Sequence, residues 1–142
     1  MTTPLEPQAI AERELCGLVT GLAQQIAVHV RERAVALSLT AAQATALREM
    51  TGPMTMRELA QRMTCEPSNA TFVVDKLEKQ GLVERRAHPT DRRAKQLVLT
   101  AEGGALRERL LDLLAEDSPL AGLGPEQQRV LQGLLEQAMV RP

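Results

Sequence analysis

The chain has 142 residues, 44% of them hydrophobic and 25% charged, which suffices for one domain to bury a core without metal or disulfide support. Net charge is −1, and with no Trp, no Tyr and a single Phe, aromatic stacking on single strands is excluded as the main mode of nucleic-acid binding. No membrane-length apolar run or leader-like start is seen, so a cytoplasmic location is expected; Cys16 and Cys65 have neither metal-ligand nor redox spacing, and no cofactor is expected.

Met1 to about Gln8 carries two prolines and no periodicity, and is expected to be a frayed lead-in. From Ala9 to about Leu37, Leu15, Leu18, Leu22, Ile26, Val30 and Leu37 recur at three- and four-residue steps, with Arg33 interrupting between the last two. That spacing predicts one long amphipathic helix. A lone small domain has little use for such length, whereas a dimer would bury its overhang. Ser38 and Leu39 break the pattern. Thr40 followed by Gln43 forms a capping box that opens a second helix, ending near Met50 at Thr51-Gly52-Pro53.

Thr55 and Glu58 read as another capping box, with Met54 and Leu59 as its hydrophobic staple. The helix it starts is short, Met56 to about Met63. Thr64 and Cys65 make a turn, Pro67 suits the first position of the next helix, and Gly81 suits a left-handed C-cap. Helix, tight turn and helix at this spacing form a helix-turn-helix.

In the second of these helices Ala70, Val73, Val74 and Leu77 fall on one side and should pack on the domain. Ser68, Asn69, Phe72 and Lys76 fall on the other, flanked by Thr71 and Asp75. Asn69 suits an adenine edge and Phe72 a thymine methyl. Phe72 tucked against the neighbouring helix as core is the competing reading, given equal weight.

Leu82 to Ala87 and Gln96 to Thr100 read as two strands joined by a loop through His88-Pro89-Thr90-Asp91. The hairpin carries Arg85, Arg86, Arg92, Arg93 and Lys95 against Glu84 and Asp91. From Arg57 to Lys95 there are 9 Lys/Arg and 6 Asp/Glu, against 8 and 12 in the remainder, so one portion is suited to phosphate. A solvated charged hairpin would explain the composition too, but this one directly follows a recognition-type helix. Thr100 then caps a leucine-rich helix with Leu106, Leu110, Leu111, Leu113 and Leu114, interrupted by Asp117-Ser118-Pro119. Pro125 opens the last helix, with Val130, Leu131, Leu134, Leu135 and Ala138 expected inward. Both terminal helices are apolar on more than one side, as packing against both a domain and a partner requires.

The expected fold is mainly α with a small β-wing: a winged helix-turn-helix at residues 40–100, with dimerisation helices at 9–37 and 101–140. Along nearly its whole length the chain resembles the MarR family of bacterial transcriptional regulators. The resemblance is densest at MRELAQRM, at PSNATFVVDKLEKQGLVERR, and at the wing signature Asp91-Arg92-Arg93 followed by QLVLT. It implies a single domain over 1–142 and an obligate homodimer whose first and last helices interlock. It further implies a pseudo-palindromic double-stranded operator, usually repressed and released by a small effector. By that resemblance Arg93 inserts in the minor groove and Asp91 orients it, a narrow groove rewarding a guanidinium. Phe72 departs from the family, where a basic residue is frequent.

The resemblance places effector pockets between the dimer helices and the winged domain, with His29 and Arg48 as candidates. Glu14-Leu15-Cys16, with its distance to Leu39-Thr40 and Gln43, is similar to the organic-hydroperoxide resistance regulator branch, in which the matching cysteine is oxidised and the protein leaves DNA. A sensor thiol needs a stabilised thiolate, and that branch draws partly on tyrosines, which are absent here. In its apolar register Cys16 is favoured as a small hydrophobe. Cys65, in the turn near DNA, has no activating neighbour in the sequence.

Two other function classes compete with a DNA-binding regulator. One is a winged-fold interaction module that does not bind DNA, against which the arginines of the hairpin argue. The other is an enzyme, for which no phosphate-binding glycine loop, HExxH or paired nucleophile and base exists in the sequence.

Overall fold

A computed structural model describes residues 6–140; the first five residues of the expected lead-in (Met1 to about Gln8) lie outside them. Six helices and two strands follow in order: α1 (Pro7–Val35), α2 (Ala41–Glu49), α3 (Met56–Met63), α4 (Pro67–Lys79), β1 (Val83–Ala87), β2 (Lys95–Leu99), α5 (Ala101–Ala115) and α6 (Pro125–Met139). Helix α1 takes in Pro7 and Gln8, because a proline at the first helical position surrenders no bond. It ends two residues short of Leu37, where Ser38 turns left-handed (φ 57°) and Leu39 N–H returns to the Ala34 carbonyl at 2.9 Å. Two compact units result: residues 27–116, and the described residues up to 26 together with those from 117 on.

The 27–116 unit holds the core: Leu39, Ala46, Leu47 and Met50 of α2 and its flanks, Leu59, Val73, Val74, Leu77, Val83, Leu97 and Leu110. The capping box at Thr40 is complete, Gln43 N–H donating to Thr40 Oγ1 (3.1 Å) and Thr40 N–H to Gln43 Oε1 (2.9 Å). At α3 the hydroxyl half forms: Glu58 N–H donates to Thr55 Oγ1 at 3.2 Å, while Met54 and Leu59 are both buried. Met54 also exchanges backbone bonds with Leu97 (3.2 and 2.7 Å), adding a rung to the β1–β2 ribbon and tying it to the start of α3.

The α3–α4 turn passes through a left-handed Thr64, and α4 is followed, after its cap Gln80, by Gly81, which takes the positive φ (74°) expected of it. The strands pair antiparallel, Val83 opposite Leu99 and Arg85 opposite Leu97. Thr100 then fixes α5: its Oγ1 accepts from Gly103 N–H at 3.0 Å and donates to the Gly81 carbonyl at 2.6 Å. Gly103 sits so tightly on the α4–β1 turn that a Cβ there would lie 2.0 Å from the Leu82 carbonyl oxygen. From α5, Arg107 donates to the Leu47 and Arg48 carbonyls (2.8 and 2.9 Å), closing the free C-terminal end of α2.

In the other unit, no described residue is buried. Leu15, Leu18 and Val19 of α1 and Val130, Leu134, Leu135 and Met139 of α6 are exposed. The α6 side chains expected inward therefore find no core within one copy of the chain. Among the described residues, no helix is long and apolar enough to cross a membrane.

Candidate nucleic-acid interface

Helix α4 separates into the two faces its spacing predicts. Ala70, Val73, Val74 and Leu77 are buried, while Ser68, Asn69, Thr71, Phe72 and Lys76 are exposed. Phe72 is 62% exposed, which decides between its two readings: the ring is not core. Lys76 Nζ stands 4.4 Å from the ring centroid, so the exposed face pairs an apolar plate with a cation. Thr71 Oγ1 donates to the Pro67 carbonyl at 2.9 Å, leaving its lone pairs as acceptors.

The ribbon stands beside α4, and its basic residues divide by the alternation of a strand. Arg86 is on the exposed side with Glu84, which accepts from its Nε and Nη2 at 3.2 and 2.9 Å. Arg85 shares the Val83 side and turns onto α4. Its Nη2 is 2.5 Å from Asp75 Oδ1 and its Nη1 3.6 Å from Glu78 Oε1, with the side chain 29% exposed. Arg85, expected from the sequence as a DNA contact, is paired with two carboxylates of α4. The strand alternation from Val83 was the signal for this inward turn. Arg92 and Arg93 in the loop and Lys95 at the start of β2 are exposed.

The wing tip is shaped by two side chains. Asp91 Oδ1 accepts the backbone N–H of Arg93 at 3.0 Å, so its carboxylate fixes the arginine's main chain. His88, absent from the residues singled out in the sequence, accepts at Nδ1 from the N–H groups of Thr90 (3.2 Å) and Asp91 (3.1 Å).

Between the start of α3, the outer face of α4 and the ribbon lies an open groove of about 480 Å³. Thr55, Met56, Thr71 and Leu97 line it together with the cations Arg57, Arg85 and Lys95. The expected effector contacts are already engaged elsewhere: His29 Nε2 lies 2.9 Å from the Leu114 carbonyl, and Arg48 Nε bonds Glu49 at 3.0 Å. Cys16 is exposed on α1 in one copy of the chain, beside the equally exposed Leu15 and Val19, and Cys65 is half-buried in the α3–α4 turn.

Comparison with known proteins points one way. Residues 39–95 match the MarR family, the stretch that runs from the lead into α2 to the first residue of β2. The HTH-type transcriptional regulator YkoM of Bacillus subtilis is 30% identical over 61% of this chain and 58% of its own length. The HTH-type transcriptional repressor MdtR of the same organism is 38% identical over 42% of this chain and 39% of its own. The chain thus spans well under two thirds of either relative. Among solved structures, a mutant MarR from E. coli complexed with operator DNA matches with a TM-score of 0.70 at 25% identity, covering 97% of this chain and 100% of that one.

Proposed function

We propose that this chain, whose winged helix-turn-helix belongs to the MarR family, acts as a homodimeric, sequence-specific regulator of transcription that represses by occupying a pseudo-palindromic operator. One observation carries the reading: α4 presents Ser68, Asn69, Thr71, Phe72 and Lys76 outward, next to a ribbon whose Arg92, Arg93 and Lys95 face solvent. The helix supplies donors, acceptors and an apolar plate for base edges in the major groove. The ribbon supplies cations for the neighbouring backbone and minor groove. Two such modules related by a two-fold axis would read half-sites about one helical turn apart. The repressor named among the relatives and the operator complex of the structural neighbour support the same direction.

Effector release has its own support in the groove. A small anionic molecule seated there would meet Arg57, Arg85 and Lys95 and draw Arg85 from Asp75 and Glu78. The recognition helix would then lose its tie to the wing. A second reading, oxidation of Cys16, is favoured by the exposure of its thiol on the same stretch of α1 as Leu15 and Val19. A sulfenic acid there would act through the packing of two copies.

The test is selection of bound duplexes from a random pool, repeated with peroxide, followed by titration over a range of salt. Expected are a palindromic consensus and an affinity that falls linearly on a log–log salt plot. Binding that ignores salt, or a pool that stays random, would reject the reading.

A further inference from the structure

The loop between β1 and β2 spans residues 88–94; the ladder reaches it only through the His88 N–H donating to the Ala94 carbonyl at 3.3 Å, so something else must order the tip between them. His88 does most of this. Its Nδ1 receives the N–H groups of Thr90 and Asp91 at 3.2 and 3.1 Å, with the Thr90 hydroxyl at 3.3 Å. Asp91, placed by that contact, holds the Arg93 N–H through Oδ1 (3.0 Å) and the Ala94 N–H through its own carbonyl (3.2 Å). The two side chains act in relay, and the second delivers the backbone of Arg93.

The chemistry of the first contact fixes the state of the ring. A backbone N–H has nowhere else to put its hydrogen, so an atom receiving two of them must be a bare lone pair. The His88 ring is therefore the neutral tautomer with its proton on Nε2. The same job is done in many turns by an asparagine or aspartate oxygen bonding the N–H two residues on. In both side chains the accepting atom is bonded to Cγ.

We propose that His88 is the positioning residue of the wing: its unprotonated Nδ1 orders the tip that presents Arg92 and Arg93 to DNA. This rests on the DNA-binding reading above. Without the cap, the two arginines remain but must be ordered at the moment of binding, which lowers affinity without removing a contact.

The experiment compares wild type, His88→Ala, His88→Asn and Arg93→Ala as full chains, using the duplex recovered from the random-pool selection. His88→Ala should bind about five- to tenfold more weakly, the size expected from one or two lost backbone hydrogen bonds. His88→Asn should bind within about twofold of wild type, since it restores the acceptor. Melting temperatures should fall by no more than about 3 °C, the cost of one or two hydrogen bonds in a chain of this size. Amide exchange at Thr90 and Asp91 should quicken in the alanine variant alone, and ring nitrogen spectra should show Nδ1 as the unprotonated nitrogen. If Arg93→Ala weakens binding while His88→Ala does not, or if the asparagine variant is as weak as alanine, the inference falls and the DNA reading stands. Wild-type protein that ignores duplex DNA defeats both.

Discussion

Arg85→Met would separate a strut from a phosphate contact. The guanidinium bridges Asp75 at 2.5 Å and Glu78 at 3.6 Å, with the three side chains 29%, 50% and 41% exposed. Pairs this open to water contribute about 0.2–1 kcal/mol each, so two from one cation amount to about 1 kcal/mol per protomer. Methionine keeps the buried stem, so lost packing adds little. For a chain of this size such a loss lowers Tm by roughly 3 °C at fixed protein concentration. DNA affinity should fall further, because two carboxylates on the recognition helix lose their neutralising partner beside phosphate. The salt slope should keep its value, since no phosphate contact has been removed. A double-mutant cycle with Asp75→Asn should show a coupling of about 0.5–1 kcal/mol in thermal unfolding. If Arg85→Met leaves Tm unchanged and cuts the salt slope by about 0.9, the residue touches phosphate and the strut is wrong.

The remaining expectations divide between contact and scaffold. Arg93→Ala should weaken binding by about 1–2 kcal/mol at AT-rich flanks and less at GC-rich ones, measured by anisotropy on the two duplexes. Asn69→Ala and Phe72→Ala should relax base preference within the half-site at about 1–3 kcal/mol each, read from repeated pool selection. Gly103→Ala should destabilise by about 1–3 kcal/mol in denaturant melts, because the new Cβ meets the Leu82 carbonyl at 2.0 Å and α5 must shift to admit it. Leu134→Asp, on an exposed stretch of α6, should shift the molecule toward monomer by sedimentation and lower operator affinity with it.

Where the sequence was legible, a local rule had no rival. Thr40 with Gln43, Pro67 at a helix start and Gly81 after a helix each solve one backbone problem in one way, and α2 and α4 begin or end where those residues say. The buried face of α4 followed from spacing alone. Phe72 did not, because a single aromatic on a helix flank satisfies core and surface readings equally until its neighbours are placed. The pairing of Arg85 escaped notice for a related reason: charge invites an outward reading, and the carboxylates that pair with it lie on another element, ten and seven residues earlier. His88 and Gly103 were invisible because their roles depend on close approaches. Gly103 reads as a poor helix residue until the Leu82 carbonyl is seen beneath it.

The terminal segments make the case for a second copy from elementary energetics. In the unit formed by the described residues up to 26 and from 117 on, not one residue is buried, although Leu15, Leu18, Val19, Val130, Leu134, Leu135 and Met139 are all in it. Each such side chain gains about 1.5–3 kcal/mol when fully buried, whereas ordering a helix residue costs about 1–2 kcal/mol of backbone entropy. Helical segments that bury nothing, α1 up to residue 26 and α6, have no means of offsetting that cost alone. Shallow apolar hollows of about 310 and 370 Å³ run along α6, lined by Leu120, Leu131, Leu135 and Met139 in one and by Leu123, Val130 and Leu134 in the other. Side chains of a partner would fill them. Under the proposed homodimer, the uncovered apolar side chains of this unit are what a second copy would cover. Reading of a palindrome, as proposed above, would then depend on side chains that one copy leaves uncovered.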